Sequence, residues 1–204
     1  MKKHILLLLL FVAGLVLSAI HPRRFDHWVG EVIPAVVGML VLVYTRNRFR
    51  FTVFTYTFIL FACYLLFIGG HFTFSREPFF NWLKEICGMQ RNNFDKFGHF
   101  IQGIVPVLIT RELLIRRKLL KGKAWISLFS FCVTMAVSSI YEIIEFIACS
   151  IAGKNPDTFL GTQGYIWDSQ TDMAFAALGG LFAVYFLKNF HDRAMKREFS
   201  GEFQ

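Results

Sequence analysis

The chain has 204 residues, of which 55% are hydrophobic and 17% aromatic, while only 18% are charged. That balance is too apolar for an ordinary soluble domain, and 25 phenylalanines could hardly be accommodated unless lipid covered part of the surface. The net charge of +8 therefore reads as a membrane-topology signal, and no nucleic-acid partner is expected.

Six apolar runs, residues 5–20, 28–44, 51–70, 98–114, 124–151 and 167–187, predict an all-α fold: a polytopic membrane helix bundle with six transmembrane helices. One integral membrane domain over residues 1–204 is expected. The first run, with Lys2-Lys3 before it and Leu17-Ser18-Ala19 at its end, also has the form of a secretory signal, whose removal would leave five spans. The second, fourth and sixth runs are announced by Phe25-Asp26, Phe94-Asp95 and Trp167-Asp168, an aromatic at headgroup level followed by an Asp suited to cap a helix N-terminus.

The third run closes on His71. Beyond it, Pro78-Phe79-Phe80-Asn81-Trp82-Leu83 predicts a short helix lying in the interface. At the far end of the fourth run, Arg111-Glu112 reads as a local charge pair snorkelling to the headgroups beside the basic loop Arg116-Arg117-Lys118. Loop 153–166, with Pro156, Gly161 and Gly164, predicts a turn-rich lid, and Gly179-Gly180 predicts close helix packing. None of Cys63, Cys87, Cys132 and Cys149 has Cys-x-x-Cys spacing, and Cys87 with Cys149 is the one pair an oxidising compartment could join.

Lys and Arg divide 15 to 7 between alternate sides of these spans, with Lys2, Arg46, Arg116 and Lys188 on the richer side and Arg23, Arg76, Arg91 and Lys96 on the poorer. The positive-inside rule then puts both termini in the cytoplasm.

Ionisable residues within the apolar runs gather at one depth, on the outer side of this topology. Asp95, His99 and Gln102 are spaced i, i+4, i+7 and share one helix face; Glu142 and Glu145 are three apart, Asp168 and Asp172 four apart. Glu31 and His71 fall at the same level. A scaffold network of interhelical hydrogen bonds needs no such charge, whereas a divalent metal, a proton relay or a cationic group would use it. Asp95, His99, Glu142, Glu145, Asp168 and Asp172 are the candidate catalytic residues. Asp95, His99, Glu142 and Asp172 are the candidate ligands of a divalent metal, with His71 more remote. The spacing lacks the His-Glu-x-x-His of a zinc protease and the Glu-x-x-His pairs of a di-iron bundle, and no Gly-x-Ser-x-Gly elbow or phosphate loop is present.

Asp95-Lys96-Phe97-Gly98-His99-Phe100, Tyr141-Glu142-Ile143-Ile144-Glu145 and the block Gly164-Tyr165-Ile166-Trp167-Asp168-Ser169-Gln170-Thr171-Asp172-Met173 together resemble the YjdF type of bacterial inner-membrane protein. The resemblance implies an inner-membrane location and this span architecture. More remotely, the chain is similar to VanZ-like membrane proteins, some associated with glycopeptide resistance, which implies a shared polar core of Asp95, Lys96, His99, Glu142 and Asp172. It carries Gln170-Thr171 where that pattern tends to have Arg.

Three functions fit these residues: a membrane-embedded enzyme acting on a lipid or envelope intermediate, a non-catalytic scaffold or lipid-binding accessory, and an ion-coupled transporter. The inner halves of the spans, almost purely apolar, argue against a permeation path. Membrane lipids and a lipid-linked substrate are the expected partners; the sequence sets no oligomeric state.

Overall fold

The computed structural model describes residues 2–152, 163 and 165–202. Its helices are α1 (Lys2–Ser18), α2 (Phe25–Thr45), α3 (Val53–Phe72), the short α4 (Pro78–Ile86), α5 (Phe94–Arg116), α6 (Lys123–Ala152) and α7 (Asp168–Glu198). Five of them, α2, α3, α5, α6 and α7, are long and apolar enough to cross a membrane. The 17 residues of α1 are as apolar, and Phe11 packs with Phe67 of α3 in a core that includes Val32 and Ala35 of α2. Together these form the all-helical bundle expected, with six helices in the spanning role.

Where the helices end differs from the hydropathy reading most at α7. The chain turns through a π-helical stretch, Ala183–Leu187, and continues helical to Glu198. Charge ends the apolar run, but His191 and Met195 keep one face of the extension buried, so packing carries the helix on. The aromatic-Asp pairs do not cap. The N-cap positions belong to Arg24, Asn93 and Trp167, none with a side-chain cap bond, and each Asp lies inside its first turn. Asp26 instead pairs with Arg24 at 2.8 Å.

Helix α5 is the hub, packing on α3, α6 and α7. Its contact with α7 is backbone to backbone: a Cβ on Gly103 would fall 2.0 Å from the Ala176 carbonyl oxygen, and one on Gly179 would fall 1.9 Å from that of Phe100. Only residues without a side chain permit this approach, as the Gly179-Gly180 pair led us to expect. The peripheral helices leave large apolar side chains bare, such as Leu9 and Leu17 on α1, Leu40 on α2 and Ile143, Phe146 and Ile147 on α6. Such belts are too extensive for a water-facing surface and suit hydrocarbon.

Helix α4 forms where the aromatic segment predicts it. Glu77 accepts hydrogen bonds from the amides of Phe79 and Phe80, Pro78 occupies the first turn, and Phe79, Trp82 and Ile86 are exposed. None of the four cysteines is in a disulfide. The expected lid lies largely outside the described residues, Pro156, Gly161 and Gly164 included; Gln163 exchanges two hydrogen bonds with the Asn92 backbone.

Candidate functional site

The close approach of α5 to α7 brings the start of one helix against the start of the other. Lys96 is buried and its ammonium donates to Asp168 Oδ1 at 2.7 Å and to Asp172 Oδ1 at 2.6 Å. Arg91, preceding α5, places a guanidinium nitrogen 2.8 Å from the same Asp168 oxygen. Two carboxylates one helical turn apart are thereby held by fixed cations.

His99 stands one turn further along α5, 6% exposed. Its Nδ1 lies 2.7 Å from Gln102 Oε1 on the same helix. Its Nε2 faces three carboxylates from three helices: Asp95 Oδ1 at 3.6 Å, Glu142 Oε1 at 3.6 Å and Asp172 Oδ1 at 3.9 Å. The Tyr141 ring meets the imidazole edge-on, and Tyr141 lines the adjoining cavity together with Glu31 of α2. Of the six candidate catalytic residues, Asp95, His99, Glu142, Asp168 and Asp172 therefore form one connected cluster, and Glu145 sits beside it on a cavity wall. His71 is elsewhere in its bonding: its Nδ1 lies 3.0 Å from the Ser18 carbonyl, tying α3 to the end of α1. Lys96 joins Asp95, His99, Glu142 and Asp172 in this cluster through its bond to Asp172.

A cavity of about 1000 Å³ adjoins the cluster between α2, α3, α5 and α6. At one end it is lined by Glu31, Asp95, His99, Gln102, Tyr141 and Glu145, with Arg23, Arg24 and Arg76 at the rim. Its middle is apolar, with Ala35, Met39, Ile59, Leu66, Val105 and Ile109 on the walls, and its other end reaches Thr45, Arg48 and Phe49. Pro34 and Gly38 of α2 and Val137 of α6 line it while being exposed themselves, so it opens sideways between those helices.

The structure overturns one sequence expectation at the opposite end of the bundle. Arg111 and Glu112 do not snorkel: they are 3% and 0% exposed. Glu112 accepts from the Thr52 amide at 2.8 Å, the Thr52 and Thr55 hydroxyls at 2.9 and 2.8 Å, and Arg116 at 2.6 Å. Arg111, which can only donate, lies 3.1 Å from His191 Nδ1, so the imidazole proton sits on Nε2, 3.2 Å from Glu112 Oε2. The helix ends are thus less apolar than the sequence suggested. Thr52 also caps α3, and His191 belongs to the amphipathic extension of α7, so this network joins α3, α5 and α7. No short-range spacing pointed to it; the one available signal was His191 recurring on the face of Met195.

A bundle of long apolar helices with a buried ionic cluster where α5 and α7 begin defines an integral membrane protein with a polar core. The chain belongs to the predicted membrane protein family DUF2238, whose match covers residues 3–193. It is also 40% identical over 170 residues to the inner membrane protein YjdF of Escherichia coli (strain K12), spanning 83% of this chain and 81% of that one. No solved structure matches it.

Proposed function

We propose that this protein acts on, or holds, a lipid or lipid-linked envelope intermediate, with the acyl portion in the apolar lane and the polar group at the His99 cluster. The observation that supports the reading is the cavity itself: an apolar passage of about 1000 Å³, open sideways between α2 and α6, ending on buried imidazole and carboxylates. Acyl chains enter such a lane without crossing water, and a head group then meets groups able to accept, donate or hold a proton or cation. A proton or ion pathway would need polar groups through the middle of the lane, where the walls are apolar. As an enzyme, the protein would use His99 with Glu142 and Asp95 as acid, base or metal ligands; as a lipid-binding accessory it would use the same lane without turnover. The excess of Lys and Arg on the side of both termini supports a His99 end facing outward and cytoplasmic termini.

Gly38 tests the reading, because it lines the lane and a Cβ there meets nothing within 4 Å. Protein purified in mild detergent should retain lipid close to one molecule per chain, and Gly38→Trp should lose most of it while inserting normally. Equal lipid content in both proteins contradicts the lane. On the same membranes, a reporter after Gln204 should be active in the cytoplasm only; periplasmic activity reverses the orientation.

A further inference from the structure

The His99 cluster has an arrangement that a scaffold does not explain. With the Gln102 carbonyl accepting at 2.7 Å, the Nδ1 atom carries a proton, and Nε2 is aimed at three carboxylates, none of them at hydrogen-bond distance. Carboxylates gathered around one ring nitrogen repel one another unless a proton or a cation sits between them. Lys96 and Arg91 are committed to Asp168 and Asp172, and among the described residues no Lys or Arg forms an ion pair with Asp95 or Glu142. Glu142 is 8% exposed and its Oε1, the atom nearest His99, is buried without a hydrogen-bond partner. The four carboxylates Asp95, Glu142, Asp168 and Asp172 meet two fixed cations, so Asp95 and Glu142 have no Lys or Arg partner among the described residues.

We infer that His99 Nε2, Asp95, Glu142 and Asp172 hold one divalent transition-metal ion of the zinc or manganese class. This deepens the lipid reading by naming the cofactor class of the same site. Donors around a tetrahedral ion with bonds of 2.0–2.2 Å stand about 3.3–3.6 Å apart, and the His99-to-carboxylate separations of 3.6, 3.6 and 3.9 Å are within a few tenths of that. The nearest atoms of Asp95, His99 and Asp172 all lie within 4.8 Å of one another; Glu142 is not in that close group and approaches through His99 alone, at 3.6 Å, so its side chain would have to shift to complete the shell. One imidazole with three oxygen donors and no thiolate suits zinc, manganese or iron better than a soft metal, and the imidazole disfavours an all-oxygen calcium cage. Gln102 is then the positioning residue that holds Nδ1, the outer-shell support that metal-binding histidines ordinarily have, while Lys96 bonds the same Asp172 Oδ1 that faces His99, so Asp172 would turn its Oδ2 to the ion. The ion would sit at the polar end of the lane, where it could polarise an ester or phosphoryl oxygen or lower the pKa of a bound water.

The test loads chelator-treated protein separately with Zn²⁺ and Mn²⁺ and counts retained ions, with circular dichroism to check the fold and lipid measured on the same samples. The parent should retain about one ion per chain and unfold at higher temperature when loaded. His99→Ala and the nearly isosteric Glu142→Gln should lose that uptake. Gln102→Ala should weaken it by about 10–100-fold, and Gln102→Glu, which returns an oxygen acceptor to Nδ1, should restore it; a merely structural role for Gln102 predicts no such rescue. Uptake of neither ion by the parent overturns the proposal, as does parental loading by Glu142→Gln, or a nitrogen NMR signature of a doubly protonated His99 in loaded protein. Lipid without metal overturns the metal centre alone; metal without lipid supports the centre and counts against the lipid reading.

Discussion

At the scale of single residues, the two polar layers differ in how fully their groups are satisfied. Glu112 has every oxygen engaged by Thr52, Thr55, Arg116 and His191, the condition under which a buried carboxylate holds a structure together. Glu142 has a bare oxygen, and His99 Nε2 is aimed at three carboxylates without reaching hydrogen-bond distance of any, the condition expected where something else binds. Glu112→Ala would remove the acceptor shared by two buried hydroxyls and an amide and one of the partners of Arg116, at a cost of about 3–5 kcal/mol. Asp26→Asn, at the exposed pair with Arg24, should change stability by less than about 1 kcal/mol. Thermal unfolding in detergent separates the two; similar melting temperatures for both variants would mean that the Glu112 network is not structural.

At the scale of elements, the Gly103 and Gly179 contacts set the register that places Lys96 and His99 of α5 against Asp168 and Asp172 of α7. Gly103→Leu should force the helices apart, lower the melting temperature and loosen the Lys96 pairs, whereas Gly30→Ala, where a Cβ meets nothing within 4 Å, should be neutral or stabilising by up to about 1 kcal/mol. A Gly103→Leu protein as stable as the parent would rule out the tight α5–α7 seam. These elements also show which parts of the sequence were readable. Helical spacing placed Asp95 with His99 and Gln102, and hydrophobicity found every long helix, because both are local properties. The aromatic-Asp pairs misled, because an Asp near a helix start suits a cap, a dipole contact or a buried ion pair alike, and Lys96 and Arg91 decided among them for Asp168, and His99 for Asp95. Arg111-Glu112 misled for the same reason. A charged pair at a span end suits snorkelling as well as burial, and the partner that buries it, His191, is about 80 residues away along the chain.

At the scale of the whole molecule, the helices separate into a polar-cored seam, α5 with α7, and a looser wall, α2 opposite α6, with the lane between. A bundle that existed only to be a scaffold would gain from closing that lane, since filled cores are more stable than voided ones. Its persistence beside an unsatisfied ionic cluster is the basis of the lipid reading. The direct measurement uses a photoreactive diazirine amino acid at two positions of α5 in native membranes: Val105, which lines the lane, and Val107, which is 0% exposed in the core. After illumination, mass spectrometry should find lipid adducts at Val105 and none at Val107. Adducts of water or protein alone at Val105 would contradict a lipid in the lane.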